Sequence, residues 1–122
     1  MVLYIDDSVD QLDLYELALG ERYQFISASQ GETGLQLAMV EQPDVIVVDL
    51  DMPGMNGWTV CLRLKGDART AHIPILILTA SSASDTLRGK ARDAGAAALI
   101  EKPCFVDALR DHLDLVLQRP RA

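Results

Sequence analysis

No apolar run in the chain approaches the ~20 residues that a membrane-spanning helix requires. Met1 leads directly into Val2-Leu3-Tyr4-Ile5, without the basic stretch and apolar core of a secretory leader. No membrane role is therefore expected, and a cytoplasmic location is. Cysteine is scarce. Cys61 and Cys104 stand alone, with no C-x-x-C pair and no nearby histidine to complete a zinc site, so both are expected to be reduced packing residues. Basic residues are outnumbered, 11 Lys and Arg against 18 Asp and Glu, and the formal net charge is -7. Counterion release needs clustered cations, so direct binding to nucleic acid or to an acidic membrane surface is not expected. A bound cation remains compatible with that charge. Linkers, low-complexity stretches and repeats of fixed period are also missing. A chain of 122 residues, 49% hydrophobic and 24% charged, is then one folded domain, expected over residues 1–119 with a frayed tail at 120–122.

What is present is organised around Val45 to Leu50, V-I-V-V-D-L, a β-branched run bounded by Pro43 and by Pro53-Gly54. Such a run predicts a buried central strand with a carboxylate, Asp49, at its carboxyl end. Val2 to Ile5 repeats the pattern and delivers Asp6 and Asp7. Ser8 and Gln11 then stand at capping-box spacing for a helix carrying Leu12, Tyr15 and Leu19 to Gly20. Tyr23 to Ala28 predicts a second strand, and Ser29 with Glu32 caps a helix through Leu35, Leu37, Ala38 and Val40 that Pro43 ends. Asn56 caps a third helix through Trp58 and Leu62, closed by Gly66, with Trp58 packing at its start. Ile73 to Leu78 predicts a fourth strand stopping on Thr79, and Ser82 with Asp85 caps a fourth helix that reaches Gly95. Ala96 to Ile100 is a weaker fifth strand ending at Glu101-Lys102-Pro103. Phe105 to Leu117 has the spacing of a last amphipathic helix, with Phe105, Val106, Leu109, Leu113, Val116 and Leu117 on one face. His72 falls in a loop and His112 on the solvent side of that helix. Strand and helix alternate about five times through short connections, which predicts a parallel sheet covered on both faces.

In a doubly wound sheet the groups at the strand ends, Asp6, Asp7, Asp49, Thr79 and Lys102, converge on one edge. Carboxylates about 4 to 5 Å apart repel by roughly 3 to 4 kcal/mol per pair at an effective dielectric near 20, so the cluster calls for a cation or a shared proton. Oxygen ligands alone, with water retained, suit Mg²⁺. A lysine beside them can hold an anion that the metal also holds, and a threonine hydroxyl with the backbone amides after it can donate to the same anion. A phosphoryl group has the required oxygens, and one carboxylate is placed to attack phosphorus.

The pair Asp6-Asp7, the run D-L-D-M-P-G-M-N-G-W from Asp49 to Trp58, L-T-A at 78 to 80 and Lys102-Pro103, in this order and spacing, resemble the receiver domains of two-component response regulators. The resemblance covers essentially the whole chain. It implies a flavodoxin-like five-stranded sheet in the order 2-1-3-4-5, a topology that periodicity alone does not supply. It also implies that Asp49 takes a phosphoryl group from a phosphohistidine on a sensor histidine kinase or a histidine phosphotransfer protein. Asp7 and Asp49 would ligate Mg²⁺ directly, Asp6 partly through water, and the Asp51 backbone carbonyl would add a ligand. Thr79 and the Ala80 amide would bind the phosphoryl oxygens, with Lys102 paired to them, and the peptide before Pro103 would be cis. Asp51 and Ser81 occupy positions at which the family tunes dephosphorylation. Catalysis would be confined to the domain's own phosphorylation and dephosphorylation.

Two residues depart from the family pattern. Leu99 stands where receivers usually carry a swinging aromatic, and Cys104 where an aromatic often follows the Lys-Pro pair, with Phe105 expected to take over that packing. Output would run through the fourth helix, fifth strand and fifth helix, with Ala91, Leu99 and Arg110 as candidate contacts for a downstream effector or a weak homodimer. No output domain follows the last helix, so the expectation is a stand-alone receiver or a piece of a longer regulator or hybrid kinase. Two other readings compete. A haloacid dehalogenase-like phosphotransferase also forms an aspartyl phosphate, but its D-x-D strand comes first, whereas Asp6-Asp7 precede everything here. A receiver-shaped module that never needs phosphate has only Leu99 in its support. With no aromatic at position 99, the signal is expected to pass through loop movement around Thr79 and the fourth helix. Structures with and without phosphate that showed a large Leu99 rotamer swing coupled to Thr79 would refute this.

Overall fold

A computed structural model describes residues 1–52, 54–82, 84–102 and 106–117, with Val106 described by its backbone alone. The expected geometry at Pro103, Cys104 and Phe105 and the tail from 118 onward therefore lie outside the described residues. Strand and helix alternate along the chain: β1 (Val2–Ile5), α1 (Val9–Leu19), β2 (Phe25–Ala28), α2 (Gly31–Glu41), β3 (Val45–Asp49), α3 (Gly57–Gly66), β4 (Ile75–Thr79), α4 (Asp85–Asp93), β5 (Ala98–Glu101) and α5 (Val106–Leu117). The strands form one sheet in the order β2-β1-β3-β4-β5. Every pairing is parallel, so each connection crosses over through a helix. The implied 2-1-3-4-5 topology is the one observed.

Side-chain alternation along the strands divides the core in two. Leu3, Ile5, Ile46, Val48, Ile75, Ile77 and Leu99 pack with α2, α3 and α4 through Leu35, Ala38, Val60, Cys61, Leu64 and Ala91. Val2, Tyr4, Val45, Val47, Leu76, Leu78 and Ile100 pack with α1 and α5 through Leu12, Tyr15, Leu19, Leu109 and Leu113. Cover on both faces is why β3 and β4 are buried along their whole length, and why their sequences are continuous apolar runs.

Helix starts follow from side chains that satisfy otherwise orphaned amides. Ser8 accepts from the Gln11 amide, and Asn56 from the Thr59 amide, as the sequence predicts. At two helices the cap is not the expected residue. The α2 cap is Gln30, without a side-chain bond, rather than Ser29. The α4 cap is Ser84, whose hydroxyl accepts from the Leu87 amide, rather than Ser82. Strand limits also shift: β2 begins at Phe25, β4 at Ile75 and β5 at Ala98. Val40 and Leu62, which the predicted helices run through, are exposed, because each of these helices covers the sheet with one narrow stripe only. His112 is half-buried rather than solvent-facing, and His72 lies exposed in its loop. Cys61 is buried and its thiol donates to the Ala94 carbonyl at 3.3 Å, in keeping with a packing role.

Two close approaches fix the helices that flank the acidic strand ends. A Cβ on Gly34 of α2 would lie 2.4 Å from Ile5 Cδ1, just before Asp6. A Cβ on Gly57 would lie 2.7 Å from Leu50 Cα and 2.8 Å from the Asp49 carbonyl oxygen. Flexible Ile5 can yield, whereas backbone cannot. Gly57→Ala is thus expected to destabilise the fold by about 1–3 kcal/mol, the usual cost of overpacking. Urea denaturation of the variant checks it, and an unchanged midpoint would contradict this account of the corner.

Candidate functional site

The strand order reverses between β1 and β3, which opens a crevice at their carboxyl ends. By strand alternation Asp6, Asp49 and Lys102 continue the parity of Tyr4, Val47 and Ile100, toward the α1 and α5 side. Asp6 and Asp49 are buried while Asp7 is exposed, and one oxygen from each of the three lies within 4.8 Å of the others. Lys102 Nζ reaches Asp49 Oδ1 at 3.0 Å. The fold thus brings together four of the residues singled out in the sequence.

Asp6 is the most constrained of them. Its backbone amide donates to the Ala28 carbonyl, and its Oδ1 accepts the Ser8 amide at 2.9 Å, which ties the acid to the start of α1. Its Oδ2 is buried with no hydrogen-bond partner among the described residues. Burial pushes the Asp6 carboxyl up to about 6; the Asp49 charge adds to the rise, while the Ser8 amide and Lys102 oppose it. A buried, partnerless carboxylate oxygen beside two further acids is a donor set that a hard cation fits.

Thr79 is fully buried at the end of β4, and its hydroxyl accepts the Ser81 amide at 3.1 Å. The Thr79 carbonyl accepts the Lys102 amide at 2.7 Å, which fastens the lysine's backbone to the same strand end. Ala80 is exposed and its amide donates to Asp51 Oδ2 at 3.0 Å. The Asp51 amide in turn donates to Asp49 Oδ1 at 3.2 Å. The sequence reading gave Asp51 a backbone-ligand role and a position where the family tunes dephosphorylation, and did not foresee that its carboxylate accepts the Ala80 amide. Trp58 packs half-buried against the core, and Lys90 Nζ of α4 lies 4.8 Å from its ring centroid. That cation–π contact was not foreseen either. Leu99 is 7% exposed, within the core on the α3 and α4 side.

Grooves open among the described residues both at this constellation and away from it. One of about 550 Å³ opens beside Asp7, between Val9, the Ser29 to Glu32 segment and Met52 and Met55. A smaller one of about 250 Å³ runs along β5, walled by Arg88, Ala91 and Arg92 and floored by Ala96 to Leu99.

Residues 2–114 match the response regulator receiver domain. The chain belongs to that family. It is 38% identical over 104 residues to the response regulator PleD of Caulobacter vibrioides, a match that covers 84% of this chain and 22% of that protein. To protein PilH of Pseudomonas aeruginosa it is 35% identical over 120 residues, covering 95% of this chain and 96% of PilH. The chain therefore spans about a fifth of PleD but nearly all of PilH. Among solved structures, the chemotaxis protein CheY4 of Vibrio cholerae superimposes with a TM-score of 0.89 at 28% identity, covering 95% of this chain and 97% of that one. Receiver domains are signal transducers that exchange contacts with histidine kinases and effectors, and they bind Mg²⁺ at an acidic pocket. Membership leaves the dehalogenase-like alternative without support. Among the described residues no helix is long and apolar enough to cross a membrane.

The elevated Asp6 pKa carries a sign. Between its unfolded value of 3.8 and its folded value of about 6 the receiver holds a proton that the unfolded chain releases. The resulting stabilisation is complete below 3.8 and is lost as pH rises through about 6. At pH 7 the metal-free domain then carries a charged Asp6 at a cost on the order of 2–3 kcal/mol. Asp6→Asn, which keeps an acceptor for the Ser8 amide, is expected to be more stable than wild type in EDTA at pH 7.5, with the advantage shrinking toward pH 4.5. Equal unfolding midpoints at both pH values would contradict it.

Proposed function

We propose that this receiver domain takes a phosphoryl group onto Asp49 from a phosphohistidine on a sensor histidine kinase or a histidine phosphotransfer protein. The observation that supports it is the placement of Asp49 within 4.8 Å of Asp6 and Asp7 on one side and 3.0 Å from Lys102 on the other. An Asp49 oxygen attacks phosphorus as the P–N bond breaks, and the imidazole leaves with a proton taken up at its nitrogen. Asp6, Asp7 and Asp49, with the Asp51 carbonyl, would hold Mg²⁺, which when bound supplies positive charge to the phosphoryl oxygens. Lys102 begins as the partner of Asp49 and is close enough to transfer its charge to the phosphoryl group as that group arrives. The remaining donors are the Thr79 hydroxyl, which accepts from Ser81 and keeps its own hydrogen to give, and the Ala80 amide once it leaves Asp51. The groove beside Asp7 gives a donor's histidine-bearing surface an approach to the acids.

Output passes, in this reading, through α4, β5 and α5. The groove along β5 is lined by arginines and by small side chains, and Arg110 of α5 is half-buried and paired with Asp107. An effector, or a second copy in a weak homodimer, would seat there with Ala91, Leu99 and Arg110 at the contact. The domain works in the cytoplasm, where such kinases present their phosphohistidine, and its chemistry is limited to its own phosphorylation and dephosphorylation.

Incubation with Mg²⁺ and acetyl phosphate is expected to give a single phosphoryl adduct by intact mass, stable to acid and labile to base. Asp49→Asn should give none, and Lys102→Ala should slow labelling on the order of a hundredfold, as for loss of one transition-state donor. Labelling that persists in Asp49→Asn, or sustained turnover of a phosphatase substrate, would overturn the proposal.

A further inference from the structure

The Asp51 carboxylate makes a contact that the phosphoacceptor reading leaves unused. Its Oδ2 accepts the Ala80 amide at 3.0 Å, across the gap between the β3–α3 and β4–α4 segments. The same amide is the donor that a phosphoryl oxygen on Asp49 would need. A backbone amide carries one hydrogen, and a carboxylate and a phosphoryl oxygen are both anionic acceptors for it. They cannot both receive it at full strength, and their like charges disfavour close approach. Asp51 is also tied to the nucleophile, because its own amide donates to Asp49 Oδ1 at 3.2 Å. Both Asp51 and Ala80 are exposed, so the side chain can swing into solvent without disturbing the core.

We propose that the Asp51 side chain is an internal competitor for the phosphoryl group: it occupies the Ala80 amide in the resting domain and must leave as a tetrahedral anion arrives. Asp51 is thereby a positioning residue for the phosphoryl-transfer reaction, one that acts through Ala80. It sets how readily the site takes a phosphoryl group, and its departure unfastens the β4–α4 segment from the phosphoacceptor strand. The inference rests on the reading of Asp49 as phosphoacceptor. Because the contact is exposed to solvent its strength is modest, and its loss is expected to tighten anion binding about two- to fivefold.

Charge and competition are separable, since Asp51→Ala removes both the charge and the acceptor whereas Asp51→Asn removes the charge and keeps an acceptor oxygen. Beryllofluoride, a noncovalent phosphoryl mimic, would be titrated into the full chain at saturating Mg²⁺ and followed by fluorine NMR. Amide spectra would report Ala80 in the resting protein. Competition predicts the tightest binding in Asp51→Ala, intermediate binding in Asp51→Asn, and an Ala80 amide proton that moves upfield in the same order. Equal affinities for the two variants, with the Ala80 resonance alike in both, would reduce the effect to charge and overturn the proposal. So would variants that bind as wild type does. A wild-type protein that binds no beryllofluoride would instead overturn the phosphoacceptor reading, and the competitor with it.

Discussion

Like charge held at short range is the constraint from which the rest of this structure follows. Asp6, Asp7 and Asp49 offer oxygens within 4.8 Å of one another, two of these residues are buried, and one oxygen of Asp6 has no hydrogen-bond partner among the described residues. Such an arrangement works against folding by about 3 kcal/mol per charged pair at an effective dielectric near 20. It persists because the strands that carry the acids are buried on both faces by two separate apolar layers. Lys102 relieves part of the repulsion at Asp49, and protonation or a cation relieves the remainder at Asp6. The site is therefore poised to take up positive charge, a property that an inert scaffold would have no use for.

The same edge of the sheet carries the contacts between the acidic loop and α4. Asp51 to Ala80 and Trp58 to Lys90 both bridge from the segment after β3 to the segment after β4. Leu99, at the position where the family pattern has an aromatic, is packed into the core on the α3 and α4 side. The contacts from the segment after β3 to α4 and the loop before it are then polar and cation–π ones at the surface. Those contacts can be broken without repacking the interior.

Much of the fold was legible because a doubly covered parallel sheet writes itself as apolar runs separated by turn residues. V-I-V-V-D and I-L-I-L-T coincide with β3 and β4 for that reason. Helix caps were less legible where hydroxyls are crowded. Ser81, Ser82 and Ser84 all precede α4, and the choice among them depends on which backbone position is extended just before the first turn, a property of the loop and not of the residue type. The exposure of Val40 and Leu62 was not legible for another reason: leucine and valine favour the interior on average, but a helix lying on a sheet buries one stripe alone. The acids, the threonine and the lysine of the site could be named from the sequence because they sit at strand ends, where topology decides convergence. The contact from Asp51 to Ala80 was not legible because its partner is a backbone amide, and amides leave no mark in a sequence.

Gly57 has a bearing on how such a domain can diverge. Its α-carbon rests against the Leu50 and Asp49 backbone with no room for even a methyl group. Sequence drift is therefore cheap over the outer surface of α3, where Leu62 already faces water, and costly at the corner that joins this helix to the strand ending in Asp49. Descendants of this chain can acquire new partners by repainting the outside of α3 while inheriting, unaltered, the joint that holds Asp49 in place.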